Sequence, residues 1–386
     1  MKVFLIAGEM SGDRLGAALM EGLKTLRPEA EFFGVGGALM QAQGMTSLFP
    51  MEELSVMGIA EVLPKYRHLV KRMHQTAEAV LAERPDVLIT IDSPDFCLRV
   101  AREVKKLSDI RTVHYVAPSV WAWRPKRAQK VAKVVDQVLA LLPFEPPYME
   151  AAGVRCDFVG HPVVNEPVAS DAEVAGFREA HGIGDAPLLV ALPGSRRSEV
   201  SRLTPTFGGV VARMKAEKPD LQVVLPAAAP VAGLVRDLTA DWAHRPIILD
   251  PNGLSEAEML ATKRAAFRAG DVALAASGTV SLELAAAGTP MVIGYDMNWI
   301  SWQIMSRMAL IDTVTLVNLV TDTRAVPEFL GPAFRAEAIA SALLGVLDDP
   351  GPQRSAMALT MELLGKGQAN PGLRAARAVL DGLEGA

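Results

Sequence analysis

Cysteine is nearly absent from this sequence. Its 386 residues include two, Cys97 and Cys156, and neither stands in a Cys-x-x-Cys or Cys/His cluster. That excludes a disulfide framework and a structural zinc site, and leaves free core thiols as the plain expectation. An excess of one charge is missing too. The formal net charge is −5, from 39 basic and 44 acidic residues interspersed along the chain. Nucleic-acid binders carry a strong basic field, so no nucleic-acid partner is expected. Long apolar runs are also lacking. Val3–Ala7 is too short for a secretory h-region and runs straight into Gly8-Glu9-Met10-Ser11-Gly12-Asp13. The most apolar window, Val272 to Tyr295, is broken by Glu283, Gly288 and Pro290, so no transmembrane helix is expected. The chain is expected in the cytoplasm, with any membrane contact peripheral. A GxGxxG fingerprint with a downstream acid is missing, which argues against a nicotinamide dehydrogenase. No Asp-x-Asp follows a strand. Neither a metal nor a cofactor is expected.

What is present is a rhythm. Half of the residues are hydrophobic, and the length suits two domains. Short Val/Ile/Leu runs alternate with amphipathic stretches, the mark of an α/β chain with buried parallel strands. Strands are predicted at Val3–Ala7, Phe32–Val35, Val87–Ile91, Thr112–Val116, Val138–Leu142 and Asp157–Val159. A Pro-, Val-, Asn- and Asp-rich linker, Pro162 to Ala172, follows. The rhythm then restarts with Leu188–Leu192, Gln222–Leu225, Ile247–Leu249, Val272–Ala275 and Met291–Tyr295. From Phe334 the pattern is helical, with a break at Pro350-Gly351-Pro352 that predicts two or more helices. The expected fold is α/β, with two Rossmann-like domains facing across a cleft and additional C-terminal helices. Domain one is expected over residues 1–165, completed by helices from about 350 to 386, and domain two over 166–349. Ligands in such sheets bind beyond the carboxyl ends of the strands, so the residues just after each strand carry the information.

After the first strand, Gly8 to Gly16 permits a sharp turn into a helix start, where amide groups face a polar ligand. A tight β–α turn accounts for the same residues. After Val87–Ile91 comes Asp92-Ser93-Pro94-Asp95-Phe96. Asp95 fits a helix N-cap. Asp92, at the strand end, is placed to take a proton from an attacking hydroxyl, although a turn-stabilising aspartate reads the same way. The next strand runs into a loop holding His114, Ser119, Trp121, Trp123 and the basic residues Arg124, Lys126 and Arg127. That is unusual for a plain connection, though a lone histidine is as often a satisfied core residue. Gly160-His161-Pro162 ends the first half. In the second half, Pro193-Gly194-Ser195-Arg196 suits a diphosphate. Ser277-Gly278-Thr279 offers amides to a phosphate, and Glu283, in an apolar stretch, needs a partner that ribose hydroxyls would supply.

These loops resemble the lipid-A-disaccharide synthase family. The resemblance rests on Gly8-Glu9-x-Ser11-Gly12-Asp13, Met57-Gly58-Ile59-x-Glu61-Val62-Leu63, Ile91-Asp92-x-Pro94-Asp95-Phe96, His114-Tyr115-Val116-x-Pro118-Ser119-Val120-Trp121-Ala122-Trp123, Leu142-Pro143-Phe144-Glu145, Gly160-His161-Pro162, Leu192-Pro193-Gly194-Ser195-Arg196 and Ala276-Ser277-Gly278-Thr279. The motifs stand in the family's order from residue 2 to about 320, and the C-terminal quarter matches poorly. The His-Tyr-Val to Trp-Ala-Trp block is highly specific, the Pro-Gly-Ser-Arg block less so.

The resemblance implies an inverting glycosyltransferase of the GT-B type in lipid A biosynthesis. Its donor would be UDP-2,3-diacylglucosamine and its acceptor 2,3-diacylglucosamine 1-phosphate (lipid X), joined with release of UDP. It implies Asp92 as general base and Arg196 and Glu283 at the donor. Asn318 matches a family asparagine at the cleft. With Gly194, Ser195, Ser277, Gly278 and Thr279 these make the expected donor site. Ser11, Gly12, Asp13, His114, Ser119, Trp121, Trp123 and His161 make the expected acceptor side of the cleft. Homodimer contacts through the C-terminal helices follow from the family alone. The segment from Met57 to Met73 mixes apolar Val62, Leu63, Tyr66, Leu69 and Val70 with basic residues at near-helical spacing. A basic amphipathic helix binds anionic membrane surfaces, here the cytoplasmic face of the inner membrane, while a core-facing helix with a solvated edge shows the same stripe. Three rival functions share parts of this pattern: a UDP-N-acetylglucosamine 2-epimerase, a peptidoglycan N-acetylglucosaminyl transferase, and a two-lobed binding protein without catalysis.

Overall fold

A computed structural model of the chain describes residues 1–54 and 59–385, and the backbone alone at 59–65. It divides into two compact units. Unit 1 is Met1–Pro162 with Gly367–Ala386, and unit 2 is Val163–Lys366.

Unit 1 is built on a seven-stranded sheet. Its strands are β1 (Lys2–Ala7), β2 (Glu31–Val35), β3 (Thr46–Ser47), β4 (Val87–Ile91), β5 (Arg111–Tyr115), β6 (Gln137–Ala140) and β7 (Arg155–Phe158). They pair in the order β3-β2-β1-β4-β5-β6-β7, all parallel. β1 and β4 are buried along nearly their whole length, which is why both read as uninterrupted apolar runs. β6 begins one residue earlier than expected, at a polar residue. Gln137 is buried, and its amide donates to Asp157 (2.7 Å) and to the carbonyl of Ala378 (2.8 Å). The second bond ties helix Pro371–Glu384 to the sheet. That helix also lies close against Met10–Leu26 at paired glycines, where a Cβ on Gly22 would stand 2.6 Å from the carbonyl oxygen of Gly372.

Unit 2 repeats the plan with six strands: β8 (Leu188–Leu192), β9 (Gln222–Pro226), β10 (Ile247–Leu249), β11 (Val272–Ala275), β12 (Met291–Tyr295) and β13 (Glu328–Leu330). Their order is β10-β9-β8-β11-β12-β13, again parallel. β3 and β13 escape sequence reading because they are two and three residues long, without an apolar run. The C-terminal stretch forms three helices, Ala336–Asp348, Gly351–Leu363 and Pro371–Glu384. Gly351–Leu363 packs in unit 2, where buried Gln353 pairs with both backbone groups of Met291 (2.8 and 2.9 Å). Only Gly367–Ala386 of this stretch belongs to unit 1. Both cysteines are buried free thiols. No helix among the described residues is long and apolar enough to cross a membrane.

Each sheet has one place where the winding reverses, between β1 and β4 in unit 1 and between β8 and β11 in unit 2. In such sheets ligands bind near the carboxyl ends of the strands beside this reversal.

Candidate active site

In unit 1 the loops after β1 and β4 flank that reversal, and the loop after β5 lies beside the second. The first two touch directly. A Cβ on Gly8 would stand 2.5 Å from Ser93 Oγ and 3.0 Å from its Cβ, so the two loops approach closely at a glycine. Three non-glycine residues here have left-handed backbones: Asp92 (φ 51°), Ser93 (φ 41°) and Val116 (φ 83°). Such a conformation costs of order 1–3 kcal/mol per residue and persists only where the surroundings impose it. The imposing contacts are ladder bonds continued past the last strand residues, Asp92 N–H to Tyr115 O (2.9 Å) and Val116 N–H to Leu139 O (3.0 Å).

The result is a cavity of about 210 Å³ whose walls include Asp92, His114, Ser119, Trp123, Arg124 and Arg127. Asp92 is half-buried, and no described residue donates to its carboxylate. His114 is fully buried with Nδ1 2.8 Å from Thr90 Oγ1. Burial first, and then the Arg127 charge, push its pKa down to about 4, so the ring is neutral at physiological pH. Arg124 lies over the Trp123 ring at 3.9 Å. Asp95 corrects the sequence reading. Ser93, not Asp95, holds the N-cap position of helix Pro94–Leu107, and Asp95 sits exposed in the first turn, 3.6 Å from Arg127.

The wall is held from behind. Trp121 Nε1 donates to Glu145 Oε1 (3.3 Å), the Leu142 amide donates to Glu145 Oε2 (3.0 Å), and Trp121 packs edge-on against Phe144 at 5.0 Å. The Leu142-Pro143-Phe144-Glu145 motif is thus a clamp on the tryptophan loop. Burial raises the Glu145 pKa to about 7. Sequence reasoning gave Glu145 no role. A lone glutamate beside an apolar strand was the available signal.

The remaining unit 1 residues are placed as follows. Ser11 is exposed and Gly12 is buried against Ala7 and Ile91. Asp13 is taken up inside the unit. Its carboxylate accepts from the amides of Gly37 (2.8 Å), Leu39 (3.0 Å) and Met40 (3.0 Å), which makes it the cap of helix Ala38–Ala42 rather than a free group. Ser119 is exposed, and His161 is partly buried with its pKa lowered to about 4 by burial. On helix Ile59–Glu83, Tyr66 is exposed, Val70 half-buried, and Leu69 packs against the unit 1 core. Val62 and Leu63 lie outside the residues whose side chains are described. His68 and Arg72 are not free for headgroups, since both pair with Glu53.

In unit 2 the loops after β8 and β11 leave the switch point side by side. Gly194 has φ 108°, and a Cβ there would meet Glu199 Oε2 at 2.6 Å and Glu199 Cβ at 2.8 Å. After Ser195, Arg196 caps helix Arg197–Glu217. Its guanidinium pairs with Glu199 (3.1 Å) while remaining mostly exposed. Glu199 is largely buried at 15% exposure while the guanidinium faces solvent, so Arg196 is the member of the pair open to a ligand. Opposite, Ser277, Gly278 (φ 151°) and Thr279 lead into helix Val280–Ala287. The expected partner of Glu283 proves to be a protein group, since it forms an ion pair with Lys263. Asn318 is fully buried and satisfied. It donates to Val326 O (2.9 Å) and Thr313 Oγ1 (3.1 Å), and accepts from the Val326 amide (3.0 Å). It pins the segment before β13 to helix Leu316–Thr321.

A family profile described as lipid-A-disaccharide synthetase matches residues 3–376. The chain belongs to the lipid-A-disaccharide synthase family. A lipid-A-disaccharide synthase from Ruegeria pomeroyi is 63% identical over 100% of this chain and 96% of its own length. The enzyme of the same name from Rhodospirillum centenum is 46% identical over 98% and 94%. Among solved structures, the fold is similar to UDP-GlcNAc 2-epimerase from Neisseria meningitidis bound to UDP-GlcNAc. That match has a TM-score of 0.63 and 12% identity, covering 100% of both chains. Anabaena HepE in complex with UDP and glucose gives a TM-score of 0.53 at 14% identity, covering 100% and 99%. These likenesses establish the GT-B fold and no more, so the epimerase alternative is not favoured. As a lipid-A-disaccharide synthase the chain is a glycosyltransferase. The profile also reaches residue 376, well past the motifs, so the C-terminal helices belong to the family pattern.

Proposed function

We propose that the unit 1 cavity receives the acceptor sugar and that the unit 2 switch point receives the UDP moiety of the donor. The donor is UDP-2,3-diacylglucosamine and the acceptor is 2,3-diacylglucosamine 1-phosphate. The acceptor 6-hydroxyl oxygen attacks the donor anomeric carbon. The bond from that carbon to the diphosphate breaks, and UDP leaves with the electron pair from the face opposite attack, inverting the centre. Asp92 accepts the hydroxyl proton and later releases it to solvent. The observation that carries this reading is a half-buried carboxylate without a described hydrogen-bond donor, on the wall of a cavity between the loops after β4 and β5, beside the switch point. A carboxylate held there by imposed backbone strain is poised for general-base work. His114, neutral by burial, offers a hydrogen bond without a competing charge. Arg196 and the amides at Gly278–Thr279 meet the charge that develops on the leaving diphosphate. Glu283, with its Lys263 partner, supports the donor side.

Mass spectrometry of products from synthetic donor and acceptor tests the reaction, and Asp92→Asn tests the base. Turnover should fall by about 10²–10⁴-fold with UDP affinity retained. Near-normal turnover in that variant removes Asp92 from the mechanism.

The substrates of this reaction carry acyl chains, and we place the enzyme at an anionic bilayer surface. Exposed Tyr66 on unit 1 supports this. So does helix Trp299–Met308 on unit 2, which buries none of its residues fully. Its inner side is anchored by Trp302, packed on Gly331. Ile300 and Ile304, 65% and 52% exposed, share the opposite side with Arg307, and Trp299 is 73% exposed. Apolar, aromatic and basic groups turned outward together suit a lipid interface. Ile300→Ser/Ile304→Ser should reduce co-sedimentation with phosphatidylglycerol-containing vesicles, and undiminished binding would remove this helix from the contact.

A further inference from the structure

Arg124 and Arg127 have no part in the scheme so far, yet both line the same cavity as Asp92. The third basic residue of the cluster, Lys126, does not. Arg124 is fixed in orientation by stacking over the Trp123 ring at 3.9 Å, and the Trp123 loop is itself clamped through Trp121 and Glu145. Arg127 sits on the first turn of helix Lys126–Ala132 with 31% of its side chain exposed, and its charge reaches His114. Its one carboxylate neighbour among the described residues, Asp95, is 98% exposed and 3.6 Å away, beyond normal hydrogen-bonding distance. Two guanidinium groups with no close carboxylate partner among the described residues therefore face a space whose described lining otherwise includes one carboxylate, Asp92, and a neutral imidazole.

We propose that Arg124 and Arg127 form a subsite for a phosphate monoester, the anomeric phosphate of the acceptor, and that they set the enzyme's preference for a phosphorylated acceptor. The proposal rests on the reading of the cavity as the acceptor site. Guanidinium forks match phosphate oxygens in pairs, and a stacked, pre-oriented arginine loses little freedom on binding. The cavity, at about 210 Å³, falls below the ~300–1,000 Å³ of sites for drug-sized ligands. It suits a sugar headgroup, with the acyl chains outside. The carboxylate in the same space fixes the direction of binding. A phosphate is repelled by Asp92 and drawn to the arginines, so the sugar enters with its phosphate at the arginine end. The far hydroxyl, which must lose its proton, is left beside Asp92. The same charge layout that selects the ligand thus orients the nucleophile.

The test is steady-state kinetics on the full chain with two acceptors, 2,3-diacylglucosamine 1-phosphate and the same sugar lacking its phosphate. In Arg124→Ala and Arg127→Ala the kcat/KM ratio of phosphorylated to phosphate-free acceptor should fall about 10- to 100-fold, the usual loss for a hydrogen bond to a charged group. The fall should appear in acceptor KM, with donor KM unchanged. An unchanged ratio, or equal losses with both acceptors, overturns the proposal. Arg124 is exposed and its replacement removes only a surface stacking contact with Trp123, so its variant serves should Arg127→Ala fold poorly. Failure of the base assignment shows separately, as turnover surviving Asp92→Asn while acceptor discrimination is still lost in the arginine variants.

Discussion

Replacing Glu145 with glutamine should make the stability of this enzyme less sensitive to pH. The Glu145 carboxyl is about 5% exposed and its pKa is raised to about 7 by burial. Moving a carboxyl from its ordinary 4.5 to about 7 is worth ~3 kcal/mol, at about 1.4 kcal/mol per pH unit. The direction follows from proton counts. Between pH 4.5 and 7 the folded chain holds a proton that the unfolded chain has released. Rising pH therefore erodes stability through that window, and above it the full penalty of a buried charge is in place. Glutamine carries no charge to bury. It keeps one acceptor oxygen for Trp121 or Leu142 and loses the other, which costs of order 1–3 kcal/mol at every pH. Urea unfolding of the full chain and of Glu145→Gln at pH 5.0 and 7.5, followed by tryptophan fluorescence, gives two values of the mutational change. The variant should fare better at pH 7.5 than at pH 5.0 by about 2–2.5 kcal/mol, and this double difference cancels the titration of all other groups. Equal mutational changes at both pH values, within a few tenths of a kcal/mol, would refute a buried, proton-holding Glu145.

Asp13→Ala should cost on the order of 2 kcal/mol by orphaning three amides, with Asp13→Asn recovering part of it. UDP affinity should be unchanged in both, and calorimetry showing weakened UDP binding would return Asp13 to the ligand site. Gly194→Ala places a Cβ against Glu199 at φ 108° and should destabilise unit 2 by about 1–3 kcal/mol while weakening UDP binding. A wild-type melting curve and wild-type UDP titration would show that the turn tolerates a side chain. Lys263→Ala should lower donor affinity without changing acceptor KM if Glu283 serves the donor. Equal effects on both substrates would make the pair structural only.

The sequence by itself determined much of the architecture. Buried parallel strands must be apolar along both faces, so all strands but β3 and β13 could be located, most plainly where Val/Ile/Leu runs are unbroken as in β4 and β8, and two of the glycines between them fell where a close approach or a positive φ occurs, at Gly8 and Gly194. The position of Asp92 at a strand end was legible for the same reason. Tertiary structure alone decided what each polar group does. Asp13, Glu283 and Asn318 stand in motifs as convincing as that of Asp92, yet each is engaged by a group from a separate element. The distinction between Arg127 and Lys126, neighbours in sequence, comes from which side of one short helix faces the cavity. Helical and strand periodicity is a property of a few consecutive residues, whereas the partner of a buried charge is chosen by crossovers that bring distant segments together.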